Sequence, residues 1–298
     1  MIKIKYDIYG ASPELDNFIL FLSSKPTYRI KKEKVNFFYA FFSELGNTAK
    51  YVFNDLTRFI EFVGEVSIRV FSLPANLKKV RWEDFPTLLI RVGLNSIAIC
   101  LLIVFLIGII IGYVSAIQLA RFGVGSFLAA LVGIAVTREL SPLMVGIIMA
   151  GRSGSAFTAE IGTMKVSEEV DALTSFGFDR QYFIVLPRLI ATVISAPLLV
   201  SMCNIAGILG GYLAGASVLG LTFQEFQVQL LDSTLSYYDV LGGVGKSIIF
   251  GFIIAVVGCF KGLQVSGGAE SVGKFTTSSV VLSIFTIILV DAIFAFII

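Results

Sequence analysis

Four ionisable side chains stand inside stretches of the sequence that are otherwise apolar: Arg138, Glu139, Lys246 and Asp291. A charged side chain at the middle of a helix in lipid costs about 2.5–3.5 kcal/mol, so each of these residues needs a partner or a water-filled surrounding. Because adjacent residues on a helix do not face each other, we expect Arg138 and Glu139 to find partners on other helices. The pattern predicts a polar cavity that meets a substrate. The alternative is a set of internal ion pairs that only fixes the register of the helices.

The sequence lacks the residue types that most catalytic sites use. It contains no histidine, which is the commonest general base and the commonest metal ligand. Cys100, Cys203 and Cys259 lie far apart in apolar runs, so we expect three small buried side chains rather than metal ligands or disulfide partners. The run Gly242–Ser247 ends like a phosphate-binding loop, but it continues directly into an apolar helix. We therefore expect no catalytic site, no metal site and, at a formal net charge of +2, no binding of nucleic acid.

A polar segment at about 152–184 carries a second group of candidate residues. It opens with small residues that predict a tight turn where a helix ends: Gly151, Arg152, Ser153, Gly154 and Ser155. A short amphipathic helix is expected next, with apolar contacts from Ile161, Met164, Val166, Val170 and Leu173. Its acidic side chains would lie on the cytoplasmic side, where a partner could bind them: Glu160, Glu168, Glu169 and Asp171.

The elements that must position these residues are membrane-spanning helices. Hydrophobic residues make up 56% of the 298-residue chain, and its mean hydropathy is +0.88, well above the values of soluble proteins. About 20 apolar residues suffice to cross a bilayer as a helix. The sequence predicts five such spans within residues 81–298, at about 94–118, 126–150, 186–215, 241–262 and 278–298. The predicted fold class is an all-α integral membrane protein.

Two segments precede the spans. Residues 1–32 predict one strand and one helix, a short cytoplasmic βα segment that is too small to bury a core of its own. Residues 33–80 place apolar side chains at helical spacing opposite a charged face, which predicts an amphipathic helix lying on the membrane surface. A soluble helix packed on another domain is the alternative.

The distribution of lysine and arginine predicts the orientation in the membrane. These residues concentrate in the N-terminal region and in the loops at 151–190 and 261–276. In the loop at 216–240, by contrast, all charged residues are acidic. Basic residues accumulate on the cytoplasmic side of membrane proteins. We therefore expect a cytoplasmic N-terminus and, after five spans, a C-terminus on the opposite side of the membrane; the family resemblance described next implies that this side is the periplasm.

The most specific sequence motif in the chain is TRELSPLMVGIIMAGRSGSAFTAEIGTMKVSEEVDAL, residues 137–173. It closely resembles the signature of the MlaE (YrbE) permease family, the membrane subunits of ABC-type lipid transporters, and the likeness extends over about residues 80–298. The resemblance implies a homodimer in the bacterial inner membrane that moves phospholipid between this membrane and a periplasmic MCE-domain (MlaD-like) protein. It also implies a separate cytoplasmic ATPase subunit that holds ATP and Mg, so no cofactor is expected on this chain.

The resemblance also implies roles for particular residues. Glu139, Lys246 and Asp291 correspond to polar positions of the family that are associated with its lipid pathway, and we assign Arg138 to the same pathway because it also lies inside a span. A coupling helix that docks in the ATPase corresponds to Glu160, Ile161, Gly162, Met164, Lys165, Glu168, Glu169 and Asp171. Some relatives carry a whole STAS-like domain at the N-terminus. Residues 1–32 are too short for one and correspond to a remnant, which would dock on a separate STAS-domain (MlaB-like) protein or remain poorly ordered.

Three functions compete at this point. The leading hypothesis is the permease subunit of an ABC transporter for phospholipid. The second is an ion-coupled secondary transporter that uses the carboxylates of Glu139 and Asp291, although no inverted repeat with paired broken helices is visible in the sequence. The third, an intramembrane hydrolase, lacks both histidine and a catalytic motif.

Overall fold

The computed structural model describes residues 37–77, 80–232 and 236–297. Within these residues the chain is helical and contains no strand. The strand and the helix predicted for residues 1–32 lie outside the described residues. The chain divides into two compact units, Met1–Asp55 and Leu56–Ile298, and every contact discussed below lies within the second unit.

Eight helices follow one another along the described chain, besides a short 3-10 turn at Leu73–Ala75. They are α1 (Phe37–Phe71), α2 (Trp82–Phe122), α3 (Gly125–Val166), α4 (Glu169–Ser175), α5 (Gln181–Leu219), α6 (Phe223–Leu231), α7 (Tyr237–Leu263) and α8 (Ala269–Ile297). Five of these, α2, α3, α5, α7 and α8, are long and apolar enough to cross a membrane. The prediction of an all-α, multi-pass membrane protein with five spans is confirmed.

The second span is much longer than its apolar core. Helix α3 runs from Gly125 to Val166, whereas the sequence predicts a span at 126–150 followed by a polar loop. Hydropathy marks the part of a helix that suits lipid, but backbone hydrogen bonding continues wherever neighbouring helices satisfy the polar side chains. The polar residues up to Lys165 therefore belong to the end of this helix.

The prediction of a tight turn at Gly151–Ser155 is wrong. Residues Ala150–Gly154 form a π-helical turn inside α3, and the helix continues through Ser155. Gly154 serves close packing instead, because a Cβ atom added to Gly258 on α7 would lie 2.9 Å from the backbone oxygen of Gly154. One turn further along α3, the hydroxyl of Thr158 donates a hydrogen bond to the backbone oxygen of Gly258 at 2.9 Å. Small residues allow such approach between helices in a membrane, where packing rather than hydrophobicity drives association.

Two further π-helical turns interrupt spans, at Ile90–Leu94 in α2 and Ala135–Leu140 in α3, and a third, Gln181–Val185, begins α5. Such turns are rare and often mark functional sites, because the extra residue changes the direction of the side chains around it. The turns in α2 and α3 contain Arg91, Arg138, Glu139 and Arg152. These four charged residues therefore lie where the helices are locally widened, whereas Lys246 and Asp291 lie in regular α-helix.

Helix α5 forms the centre of the bundle, with α2 against one side and α7 against another. The backbones of α2 and α5 approach so closely that a Cβ atom added to Gly108 would collide with the backbone oxygen of Gly207. A glycine is required here for lack of space, not for an unusual backbone conformation.

The second half of α1 is attached to one end of this bundle. The rings of Phe59 and Phe62 lie 5.1 and 5.5 Å from the ring of Phe260, at the end of α7. The side chain of Glu65 accepts a hydrogen bond from Gln181 at 3.0 Å, and Arg69 pairs with Asp179 at 3.1 Å. Exposed apolar side chains remain on this part of α1, at Ile60, Ile68 and Phe71, and they suit the predicted position at a membrane surface.

Candidate functional site: two charge clusters and an exposed short helix

Lys246 is the centre of the first charge cluster, which we call the outer cluster: Arg138, Glu139, Asp239, Lys246 and Asp291. The Lys246 side chain is only 1% exposed, and its Nζ atom lies 2.6 Å from Oε2 of Glu139 and 3.2 Å from Oδ1 of Asp291. These three residues come from α7, α3 and α8. The structure thus brings together three of the four ionisable residues that the sequence predicts for a lipid pathway.

Arg138 joins the same cluster. Its Nη1 atom lies 3.7 Å from Oδ1 of Asp239 on α7, and Glu139 pairs with Lys246 on α7, so both residues have partners on another helix, as expected. In addition, the Nε atom of Arg138 lies 3.4 Å from Oε1 of the adjacent Glu139. The π-helical turn Ala135–Leu140 alters the angle between successive side chains, so the two can meet.

Asp239 is a member of the cluster that sequence reasoning missed. The sequence places it in a polar loop, but it lies in the first turn of α7, where its carboxylate also accepts a hydrogen bond from the backbone of Ser236 at 3.0 Å. Two signals could have identified it. Asp239 stands three residues after a serine, which is the spacing of a capping box. It also lies seven residues before Lys246, on the same helix face.

The outer cluster combines a buried ion pair with partly accessible charges. Its three carboxylates and two cations give a formal charge of −1 when all are ionised. Lys246 and Asp291 are enclosed, whereas the side chains of Arg138 and Glu139 are 26% and 33% exposed. Enclosing the ammonium costs free energy that only well-placed carboxylates can offset, so the cluster holds α3, α7 and α8 in register. The exposed atoms of Arg138 and Glu139 offer one cation and one anion to a polar group outside.

Glu160 is the centre of a second group of charges, which we call the inner cluster: Arg91, Arg152, Glu160 and Arg188. The carboxylate of Glu160 pairs with Nη1 of Arg91 on α2, and its other oxygen lies 3.2 Å from Nη2 of Arg188 on α5. Arg152 donates a hydrogen bond to the backbone oxygen of Asn95, one helical turn along α2 from Arg91. Sequence reasoning did not connect Arg91 or Arg188 with Glu160, since no spacing links three separate helices.

The two clusters lie at different depths of the bundle. Glu139 and Glu160 are separated by 21 residues of α3, which at 1.5 Å per residue corresponds to about 30 Å. This length is close to the thickness of the hydrocarbon core of a bilayer. The clusters therefore lie near the two opposite ends of the membrane-crossing part of the protein.

The predicted coupling helix is two helices rather than one. Glu160, Ile161, Gly162, Met164 and Lys165 belong to α3, whereas Glu169 and Asp171 belong to α4. Glu168 stands between them with a φ angle of 61°, a left-handed conformation that turns the chain. The prediction of one continuous amphipathic helix at 160–173 is wrong, because this turn interrupts the backbone hydrogen bonds.

The two halves of this segment also differ in exposure. Ile161 is fully buried, and a Cβ atom on Gly162 would lie 2.9 Å from the side chain of Val265, so the α3 half packs inside the bundle. In the second half, Glu168 and Glu169 are exposed, and Asp171 is held by Lys165 at 2.6 Å. Val170 is 2% exposed and anchors α4 to the bundle. An external partner could thus reach α4, but not the face that carries Ile161.

An open groove of about 1080 Å³ runs beside α4. The large side chains of Trp82, Phe176 and Phe178 at this groove are 40%, 79% and 50% exposed. Its remaining walls combine apolar and charged groups: Val80, Arg81, Glu83, Met164, Glu169, Ala172, Leu173, Asp179, Tyr182 and Phe183. The groove and α4 together form a surface with both apolar and acidic groups.

The metal-ligating residue types, the cysteines and the glycine-rich run are the remaining polar features of the described residues. In the part of the chain that the structure describes, no three side chains of the metal-ligating types come together. The thiols of Cys100 and Cys203 contact each other between α2 and α5, where both residues are fully buried. The glycine-rich run Gly242–Ser247 is part of α7, and its lysine is enclosed by carboxylates, so it does not form a phosphate-binding loop.

Comparisons with known proteins identify the family. The family model described as "Permease MlaE" matches residues 87–297. A "Probable ABC transporter permease protein" of Rickettsia felis is 36% identical over 244 residues, which cover 80% of this chain and 92% of that protein. The Arabidopsis thaliana protein "TRIGALACTOSYLDIACYLGLYCEROL 1, chloroplastic" is 34% identical, over 82% of this chain and 67% of that protein.

A third relative carries the family name itself. The "Intermembrane phospholipid transport system permease protein MlaE" of Haemophilus influenzae is 31% identical over 226 residues, which cover 75% of this chain and 86% of that protein. All five spans lie largely within the part matched by the family model. The chain therefore belongs to the MlaE permease family, as a permease subunit of the ABC transporter class.

Proposed function

We propose that this chain is the transmembrane subunit of an ABC transporter that moves phospholipids between the inner membrane and a periplasmic MCE-domain protein. A separate cytoplasmic ATPase, which holds ATP and Mg, would drive the movement. The observation that carries the proposal is the outer cluster: an enclosed ammonium between two carboxylates, with a partly exposed guanidinium and carboxylate beside it, inside an apolar bundle of the MlaE family.

The chemistry of this cluster fits a phospholipid headgroup. The guanidinium of Arg138 is suited to a phosphate, and the accessible carboxylate of Glu139 is suited to an ammonium group. The apolar surfaces of the five spans would hold the acyl chains. The name of the Haemophilus influenzae relative, which places it in intermembrane phospholipid transport, supports the same substrate class.

Helix α4 and the groove beside it provide the surface proposed for the ATPase. The exposed acids Glu168 and Glu169 would bind basic groups of the partner, and the exposed aromatic rings of Phe176 and Phe178 would bury apolar area on docking. Since α4 is anchored through Val170 and through the Lys165–Asp171 pair, a force applied to it would reach α3 directly. This connection is the proposed route from ATP hydrolysis to the spans.

The proposed assembly contains two copies of this chain, with the N-terminus in the cytoplasm and the C-terminus in the periplasm. A closed dimer would give each copy the same interface and would place two outer clusters around one lipid cavity. Residues 1–32, with their basic and acidic side chains, are proposed to contact a STAS-domain (MlaB-like) partner.

Reconstitution tests this proposal. The complex purified with its associated subunits is placed in liposomes that contain a fluorescent phospholipid, and transfer to the MCE-domain protein is followed with and without ATP. We expect transfer to require ATP. A Glu168→Lys/Glu169→Lys variant should retain the fold but lose most of the ATP-dependent rate, whereas Glu270→Lys, an exposed acid on α8, serves as the matched control.

Two outcomes would contradict the proposal. Transfer that survives charge reversal on α4 would remove this helix from the coupling route. Transport driven by a proton gradient without any ATPase would favour the ion-coupled alternative, in which Glu139 and Asp291 carry protons.

A further inference from the structure

The inner cluster has more positive charge than its own carboxylate can balance. Arg91 and Arg188 both pair with Glu160, and Arg152 binds the backbone of α2 one helical turn from Arg91, so these four residues together have a formal charge of +2. Among the described residues, no other carboxylate forms an ion pair with any of these three arginines. Guanidinium groups that share so little negative charge form a site for an anion.

One donor of this site lacks an acceptor. Arg188 is mostly buried, with 14% of its side chain exposed, and it uses Nη1 for the backbone oxygen of Ile184 at 2.8 Å and Nη2 for Glu160 at 3.2 Å. Its Nε atom is buried without a hydrogen-bond partner in the described part of the chain. Nε and Nη2 form the edge of a guanidinium that binds an oxyanion with two parallel hydrogen bonds, and here Glu160 occupies only one of them.

The other two arginines are open to the outside. Arg91 has 52% of its side chain exposed, and Arg152 is also exposed. The neighbours of Arg91 on α2 are apolar and exposed as well: Ile90 is 50% and Leu94 is 61% exposed. An exposed basic group flanked by exposed apolar side chains matches a molecule that has an anionic head and hydrocarbon chains.

We infer that Arg91, Arg152 and Arg188 form a phosphate-binding site for the headgroup of a phospholipid in the membrane leaflet on the α4 side of the bundle. The inference rests on the proposed lipid transport and adds to it a second headgroup site, about 30 Å along α3 from the outer cluster. Glu160 competes with the phosphate for the same guanidinium edge and keeps the arginines in place while the site is empty.

The two clusters have opposite formal charges, and this difference determines which of them binds the phosphate of a lipid more strongly. The inner cluster, at +2, attracts the phosphate that all phospholipids share. The outer cluster, at −1, attracts it less. A lipid bound at the inner cluster would contact α2, α3 and α5. Its binding would therefore change the contacts of α3, the helix that leads into α4.

Binding to the delipidated complex tests the inference without requiring transport. The probes are dioleoyl phosphatidic acid, dioleoylglycerol, which lacks the phosphate, and inorganic phosphate, each titrated against the purified complex in detergent by native mass spectrometry. Phosphatidic acid should bind at least tenfold more tightly than dioleoylglycerol. It should also bind far more tightly than inorganic phosphate, because the acyl chains add apolar contacts.

Two variants should move this affinity in opposite directions. Arg152→Gln removes one cation whose hydrogen bond goes to a backbone oxygen, and we expect about tenfold weaker binding of phosphatidic acid. Glu160→Gln removes the competing charge and leaves one amide oxygen, so only one of the two arginines keeps its acceptor, and we expect several-fold tighter binding. Arg121→Gln, an exposed arginine at the opposite end of α2, is the matched control and should leave the affinity unchanged.

The outcomes separate the site from the proposed function. If Glu160→Gln weakens the binding of phosphatidic acid, or if Arg152→Gln leaves it unchanged, the site does not exist, whatever the transport assay shows. Equal affinities for inorganic phosphate and phosphatidic acid would overturn the assignment to a lipid headgroup. If the two variants shift binding as expected while ATP-dependent transfer is absent, the site stands and the proposed transport function fails.

Discussion

Replacing Lys246 by methionine should destabilise this protein more than any change on its surface. Methionine fills a similar volume, so the substitution removes the charge without leaving a large cavity. The carboxylates of Glu139 and Asp291 would then lose their common partner, since both contact the Nζ atom of Lys246. The side chain of Lys246 is 1% exposed, so water cannot easily replace the ammonium.

The size of the effect follows from the distances. Two oxygens that contact one nitrogen at 2.6 and 3.2 Å are within about 6 Å of each other. At this separation, two unit charges repel by about 3 kcal/mol if the effective dielectric constant is about 20. Removing one partner of a buried ion pair typically costs about 3–5 kcal/mol. Because a third of the Glu139 side chain is exposed, we expect the lower end of this range, about 3 kcal/mol.

The assay is a denaturant titration of the detergent-solubilised protein, with helix content as the signal. A second variant, Lys246→Met/Asp291→Asn, also removes one of the two carboxylates that have lost their partner. Glu139 keeps Arg138 as a partner at 3.4 Å. The double variant should therefore recover about half of the lost free energy of unfolding. Lys274→Met, at an exposed lysine on α8, is the control and should change the free energy of unfolding by less than about 0.5 kcal/mol.

Two results would refute this reasoning. A loss below about 1 kcal/mol in the single variant would mean that the carboxylates find other partners or water. A double variant as unstable as the single one would mean that the loss comes from packing around residue 246, not from unpaired charge.

Three further predictions concern the packing and the caps of the helices. Gly108→Ala should lower the free energy of unfolding by about 1–3 kcal/mol in the same titration, because its Cβ atom would collide with the backbone of α5. Gly245→Ala is the control; the space there is open, so the free energy of unfolding should not fall. Thr158→Val should cost about 1 kcal/mol, because the hydrogen bond to α7 is lost while the volume is kept. Hydrogen bonds from the backbone N–H and the hydroxyl of Thr222 lower the pKa of Glu225 below its ordinary value. The stability that this cap gives to α6 is therefore present at neutral pH and is lost as the pH falls through that lowered pKa, where hydrogen exchange of the α6 amides should accelerate. Thr222→Ala removes the hydroxyl but keeps the backbone N–H, so it should reduce this pH dependence without abolishing it.

The sequence by itself determined the fold class, the number of spans and three of the residues around Lys246. Apolar runs long enough to cross a bilayer are rare outside membrane proteins, and a charge inside such a run is so costly that it marks an internal site. The motif at residues 137–173 determined the family, because that string of small and charged residues is far more specific than hydropathy.

Only the tertiary structure decided which charges meet. Arg91 and Arg188 join Glu160 because separate helices bring them together, and neither hydropathy nor local spacing encodes these contacts. The structure also decided that residues 151–155 continue a helix and that the segment at 160–173 is divided at Glu168. Polar residues predict a loop only where water must satisfy them; here neighbouring helices satisfy them instead, so the helix extends beyond its apolar core.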